Sequence, residues 1–197
     1  MSQRPRLIVG ISGASGAIYG VRALDLLRHS GIESHLIISR AAVLTLRQEL
    51  GLSRQALFDK ADVTHAVQDI GATIASGSFR TMGMLIAPCS VRTMSEIASG
   101  MTSSLMSRAA DVILKERRRL VLMVRETPLH LGHLRTMAAL TEAGAIIMPP
   151  VPAFYTRPQT IDDIVDHTVG RALDLFGIET AAVSRWAGMQ PTAAGEQ

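Results

Sequence analysis

The chain has a single cysteine, Cys89, in 197 residues. One thiol excludes an internal disulfide framework and fits a reducing compartment such as the cytoplasm. Cys89 reads as a buried strand residue near a strand end rather than a nucleophile. Aromatics are scarce, at one Trp, two Tyr and four Phe, which argues against a stacking platform for single-stranded nucleic acid. The net charge is only +3, too small to imply a nucleic-acid partner. The basic run Lys115-Glu116-Arg117-Arg118-Arg119 reads as a solvated helix end, where cations complement the helix dipole. No apolar run approaches the length of a membrane span. The N-terminal residues form a polar stub that enters a strand, with no secretory apolar core. A cytoplasmic protein with neither nucleic acid nor membrane as partner is the expectation.

The most informative stretch that is present is 6–16, Arg-Leu-Ile-Val-Gly-Ile-Ser-Gly-Ala-Ser-Gly. A short apolar run breaks into a Ser/Gly loop that feeds a helical segment. Strand, small-residue loop and helix N-terminus together make a cradle for an anion. Gly10, Gly13 and Gly16 are spaced G-x-x-G-x-x-G, which is neither the dinucleotide fingerprint nor a Walker loop. Alone, the loop also has the composition of an ordinary tight turn between strand and helix.

Five apolar runs read as strands: Leu7–Ile11, His35–Ile38, Met84–Ala87, Leu120–Val124 and Ala145–Met148. Helical patterns cover 17–29, 40–50, 92–99, 104–117, 131–143 and 160–176. This alternation predicts an α/β fold: a single-domain, Rossmann-like (flavodoxin-like) three-layer α/β/α sandwich with a parallel sheet. The domain spans 1–187, and the Ala-, Gly-, Pro- and Gln-rich segment 188–197 is expected to be a disordered tail. Segment 60–82 breaks the rhythm. It carries the polar Ala75-Ser76-Gly77-Ser78, expected to line a site or meet another subunit. Right-handed crossovers put the functional loops at the carboxyl ends of the strands. Those loops are 12–16, Ser39-Arg40, Pro88–Thr93, Arg125–Pro128 and Pro149–Tyr155.

A nicotinamide site places an acid after the second strand for the ribose hydroxyls. This chain has Ser39-Arg40 there. That favours a mononucleotide with one phosphate, such as FMN, although Arg40 would also suit an unusual NADP site.

Taken together, the loops are recognisable. Ser12-Gly13-Ala14-Ser15-Gly16 with Tyr19-Gly20, Ile38-Ser39-Arg40-Ala41-Ala42, Glu49, Ala75-Ser76-Gly77-Ser78 and Pro88-Cys89-Ser90 resemble the UbiX/Pad flavin prenyltransferases. So do Arg108–Val112 with Lys115-Glu116-Arg117, Arg125-Glu126-Thr127-Pro128-Leu129 and Pro152-Ala153-Phe154-Tyr155. The resemblance covers 6–186. It implies an FMN-binding subunit of a dodecamer that transfers a dimethylallyl group from dimethylallyl phosphate to reduced FMN without a metal. The prenylated FMN formed would serve a UbiD-type decarboxylase. By the same resemblance Gly13, Ala14, Ser15, Ser39, Ser90, Val91, Arg92, Thr93 and Arg125 hold FMN. Arg108, Lys115, Arg125, Tyr155 and Arg171 hold the prenyl phosphate, with Ser76 and Gly77 nearby. Glu49 and Glu126 move protons with Ser15 close by, and Trp186 lies beside the prenyl group. The family often has a further tryptophan before the Ala-Ser-Gly-Ser segment. Ile70 and Ile74 stand in that region here, which implies a shallower aromatic cage.

The chemistry suits these residue types. Guanidinium and ammonium groups stabilise a departing phosphate without magnesium. Arg108 and Lys115 are two turns apart and share a helix face; a solvated basic face has the same pattern. Aromatic faces attract an allylic cation, which suits Tyr155 and Trp186, and Trp186 reads equally as a packing anchor. Glu126 reads as a proton carrier or as a helix cap. Glu49 on its own reads as a surface residue late in a helix. His130 and His133 have no third partner at ligand spacing and read as helix-start surface or interface residues rather than metal ligands. Two other functions remain in view: an FMN-dependent aromatic acid decarboxylase, and a non-catalytic FMN carrier.

Overall fold

The computed structural model describes residues 4–186 and residue 188. The expected tail 188–197 lies outside the described residues apart from Gly188. Six strands form one sheet in the order β3-β2-β1-β4-β5-β6, and every pairing is parallel. They are β1 (Arg6–Ile11), β2 (Glu33–Ile38), β3 (Val63–His65), β4 (Gly83–Cys89), β5 (Arg119–Val124) and β6 (Ile146–Ile147). Seven helices are described: α1 (Ala17–His29), α2 (Arg40–Leu50), α3 (Arg54–Phe58), α4 (Val91–Ala98), α5 (Leu105–Lys115), α6 (Leu131–Glu142) and α7 (Ile161–Asp174).

The predicted layers are present. Successive side chains of a strand point to opposite faces, and the strands are apolar on both. Leu7, Val9 and Ile11 of β1 join Leu85, Ala87, Val121 and Met123 in one core with α1, α2 and α7. Ile8, Met84, Ile86, Leu120 and Leu122 face the other way into a second core with α4 and α5. A sheet covered on both faces has no polar side to alternate with, so its strands read as continuous apolar runs.

Two short elements had no sequence signal strong enough to reveal them. β3 is a three-residue edge strand paired only to β2, and none of its residues is fully buried. It lies inside segment 60–82, too short and too polar for an apolar run. The five-residue α3 starts at Ser53, whose side chain accepts the Ala56 amide. β6 is also shorter than the expected Ala145–Met148.

The order of the strands positions the site. The chain builds outward from β1 to β2 and β3, then crosses back to place β4 on the other side of β1. Helix α1 leaves β1 toward one face and α4 leaves β4 toward the other, so their connecting loops part at this point. Ser12 ties the two loops together. Its buried hydroxyl donates to the Pro88 carbonyl at 2.8 Å and accepts the Ser90 amide at 2.6 Å. Its own amide donates to the same carbonyl at 3.2 Å. Replacing Ser12 with Ala leaves the Ser90 amide and the Pro88 carbonyl short of a partner in a buried place. We expect S12A to lose about 1–3 kcal/mol of stability, seen as a lowered thermal midpoint. An unchanged midpoint would show that the two loops hold their positions without this brace.

Candidate functional site

At the carboxyl end of the sheet, the parted loops leave a crevice of about 740 Å³. Gly13, Ser39, Arg40, Ala41, Ser90, Arg92 and Thr93 form its polar wall, and Val67, Ile70 and Met106 its apolar wall. Gly13 is there of necessity. A Cβ on it would stand 2.5 Å from the Cβ of Ala41, so only glycine lets the first loop touch the start of α2. Two helices begin on this crevice. Ser39 caps α2 by accepting the Ala42 amide, and Ser90 caps α4 by accepting the Thr93 amide. Each serine satisfies one first-turn amide. The other first-turn amides have no acceptor within the helix and suit an anion. Arg92 stands in the first turn of α4, its side chain largely exposed and paired to Glu96 at 2.9 Å.

The first helix behaves differently from the expectation. Two amides at the start of α1, those of Gly16 and Ala17, are already taken by Glu49. Its carboxylate takes the Gly16 amide at 2.9 Å and the Ala17 amide at 3.0 Å. Gly16 has φ near 100°, the left-handed region that favours glycine. Glu49 is thus no idle surface residue: from the last turn of α2 it caps α1. Burial pushes its pKa up, but the Ser15 hydroxyl, the Gly16 and Ala17 amides and the charge of Arg125 together hold it below the usual range. The same Arg125 acts on Tyr19, whose phenol burial pushes up and Arg125 partly restores. Ser15 and Glu49 are thus bonded to each other, and the charge of Arg125 acts on both Glu49 and Tyr19.

The other predicted residues fall into separate groups. Arg125 is fixed by its amide, which donates to the Cys89 carbonyl at 3.0 Å. Glu126 is exposed and its carboxylate accepts the next amide, that of Thr127, at 3.0 Å. It does not cap a helix. His130 has that role for α6 by accepting the Gly132 amide at 3.0 Å, and His133 stacks on it at 3.6 Å. No group of potential metal ligands occurs among the described residues. Cys89 is buried and its thiol is pushed up to about 12, so it stays protonated and inert.

Tyr155 and Trp186 do meet, with ring centroids 5.5 Å apart and planes at 81°. They are 51% and 59% exposed. Arg171, on α7, pairs with Asp174 at 2.6 Å, and Arg185 shares that carboxylate. The C-terminal segment returns along α7: a Cβ on Gly170 would stand 2.6 Å from the Val183 side chain. That return delivers Trp186 to Tyr155.

Ser76, Gly77 and Lys115 lie at the opposite, amino end of the sheet. Arg118 donates to the carbonyls of Gly77 and Phe79 at 2.8 and 2.6 Å, just before β5 begins. The Phe79 ring lies 5.0 Å from the Arg6 guanidinium at the start of β1. Lys115 pairs with Glu116, next to Gly77. Arg108 is in the first turn of α5, paired with Asp111 at 2.9 Å, about 10 Å along the helix from Lys115. One copy of the chain thus does not bring Lys115, Ser76 and Gly77 to the crevice. Sequence reasoning also gave no role to His167, which lies against Tyr155.

Comparisons with known proteins decide the family. The Flavoprotein family matches residues 1–173. The flavin prenyltransferase UbiX of Escherichia coli (strain K12) is 59% identical over 186 residues, covering 93% of this chain and 98% of that protein. The chain belongs to the UbiX flavin prenyltransferases. Two crystal structures share its shape. One, AnUbiX (PadA1) in complex with FMN and dimethylallyl pyrophosphate, has a TM-score of 0.94 and 46% identity over 95% of this chain and all of that one. The other is a dodecameric FMN-dependent UbiX-like decarboxylase from Escherichia coli O157:H7. It has a TM-score of 0.90 and 48% identity over 93% of this chain and all of that one. Among the described residues, no helix is long and apolar enough to cross a membrane.

The cap by Glu49 carries a pH signature. A carboxylate with a depressed folded pKa stabilises fully above its unfolded value, about 4.3. That contribution is lost as pH falls through the lower folded value. We expect the thermal midpoint of Glu49→Gln to fall less steeply than that of the parent below about pH 4.3. Parallel curves would mean that the carboxylate is not ionised on α1.

Proposed function

We propose that this UbiX-family chain transfers a dimethylallyl group from dimethylallyl phosphate to reduced FMN, giving the prenylated flavin used by a UbiD-type decarboxylase. One observation carries the reading: two helices, α2 and α4, begin on one crevice at the sheet's switch point. A mononucleotide with a single phosphate fits that donor set. No acidic side chain follows β2 to take ribose hydroxyls in the manner of a nicotinamide site.

Ser39, Ser90, Val91, Arg92 and Thr93 would hold the FMN phosphate, with Gly13 and Ala14 letting the backbone come close. Reduced FMN supplies the nucleophilic nitrogen and carbon that receive the prenyl group. Ser15, held by Glu49, faces the flavin with its hydroxyl oriented. Arg125, Arg171 and Tyr155 bind the donor phosphate, and the two guanidinium groups stabilise its charge as the allylic C–O bond breaks, which replaces a metal. Tyr155 and Trp186 offer aromatic faces to the allylic cation. Glu126 lies next to Arg125 and is free of helix-capping duty, so it carries the proton released on ring closure.

Lys115, Ser76 and Gly77 enter this scheme from another copy of the chain. They sit at the far end of their own sheet, so a symmetric assembly, a dodecamer by family, has to bring them to a neighbour's crevice, with Arg108 of the same helix. A single thiol, buried in β4, suits a cytoplasmic enzyme.

Anaerobic incubation with reduced FMN and dimethylallyl phosphate, followed by mass spectrometry, tests the activity. The expected product is FMN heavier by one prenyl unit. Release of carbon dioxide from an aromatic acid with unmodified FMN would favour the decarboxylase, and unchanged FMN alone the carrier. In Glu126→Gln we expect turnover to fall by about 10²–10⁴ with FMN affinity kept. Near-normal turnover would remove Glu126 from the proton route. Lys115→Met and Glu126→Gln, each inactive alone, should regain part of the activity when their subunits are exchanged into mixed assemblies. No recovery despite proven exchange would place Lys115 and Glu126 in the same subunit's site.

A further inference from the structure

His167 stands behind Tyr155. It lies on α7, four residues before Arg171, and is 7% exposed. Its Nε2 is 3.5 Å from the Tyr155 hydroxyl, and the two rings meet edge to face at 5.9 Å. Its other nitrogen, Nδ1, is buried without a hydrogen-bond partner. Trp186 meets the Tyr155 ring from elsewhere, so two aromatic contacts hold the phenol while its outer side remains open.

We propose that His167 is a positioning residue: it donates a hydrogen bond from Nε2 to the Tyr155 oxygen and turns the phenol's own hydrogen outward, toward the phosphate of the prenyl donor. The inference rests on the reading that Tyr155 binds that phosphate. The tautomer follows from burial. A buried N–H with no acceptor costs more than a buried bare lone pair, so the hydrogen sits on Nε2 and the lone pair on Nδ1. The ring is also neutral. Burial lowers the His167 pKa, the charge of Arg171 lowers it further, and Asp174 opposes them only in part. A neutral ring with one N–H has one hydrogen bond to give, and Tyr155 is the acceptor in reach. With a lone pair of its oxygen engaged, the phenol donates outward. The contact is long, as bonds of this kind are before a ligand draws the groups together.

The test compares His167→Leu, His167→Gln, Tyr155→Phe and the Leu/Phe double variant in anaerobic turnover with reduced FMN and dimethylallyl phosphate. FMN affinity and thermal midpoint are measured on the same preparations. Gln can place an amide N–H where the imidazole Nε2–H was, and Leu cannot. We expect H167L to raise the KM for dimethylallyl phosphate about tenfold, with kcat and FMN affinity little changed. H167Q should recover most of that loss, and H167L should add nothing in the Y155F background. A structural role alone would lower the midpoint without this split and without rescue by Gln. If H167L does not fold, H167Q is compared with H167N, whose shorter amide stops short of Tyr155 and should behave as a loss. Additive effects in the double variant, or no rescue by Gln, overturn the proposal. If Y155F raises KM and H167L does not, the role of His167 alone falls. If Y155F leaves KM unchanged, the assignment of Tyr155 to the phosphate falls and takes this role with it.

Discussion

The pairing of β1 with β4, out of chain order, opens the crevice on which the other site features depend. Right-handed crossovers send α1 to one face and α4 to the other, so the loops between them must part. Parted loops expose backbone amides, and exposed amides at helix starts attract anions. A buried hydroxyl, that of Ser12, keeps the gap at one width by bridging the Pro88 carbonyl and the Ser90 amide. Without that hydroxyl, only the Ser12 amide's bond to the Pro88 carbonyl would join the two loops.

Charge is allotted among three helix starts. α1 receives a carboxylate from the protein itself, while α2 and α4 have only serine hydroxyls. The Gly16 and Ala17 amides at the start of α1 are therefore taken before any ligand arrives, and the other two helices still have amides to offer. This division favours an anion at the starts of α2 and α4 over one beside Glu49. It also keeps Ser15, which bonds to Glu49, in one place. Stability and binding meet in Glu49, because the carboxylate that completes α1 also fixes a residue proposed to face the flavin.

The aromatic group is built on a different principle. Tyr155 sits on a short 3-10 turn, Phe154–Thr156, and gains its order from neighbours rather than from a long element. His167 supports it from α7 and Trp186 from the returning C-terminal segment. Both lie far from Tyr155 along the chain compared with one helical turn, so the cluster exists only when α7 and that segment are packed. The exposed faces of Tyr155 and Trp186 are then available to a ligand or to a second copy of the chain.

Much of this was legible in the residues. Continuous apolar runs such as Leu7–Ile11 and Leu120–Val124 identify buried parallel strands, because a sheet covered on both faces leaves no polar positions. Gly13 and the serines at 39 and 90 mark close approach and helix starts, since these needs are local and few residues meet them. Loop order was enough to suggest the family. The edge strand Val63–His65 was hidden because a three-residue, half-exposed segment has no period to read. Packing alone decided what sequence distance conceals. Glu49 caps a helix that begins 32 residues earlier, the charge of Arg125 acts on Tyr19 and Glu49, and His167 lies under Tyr155. Lys115, despite its motif, is at the far end of its own sheet. Local chemistry is written in short stretches of chain, but a hydrogen bond between distant residues depends on where the strands set their helices, and only the assembled sheet determines that.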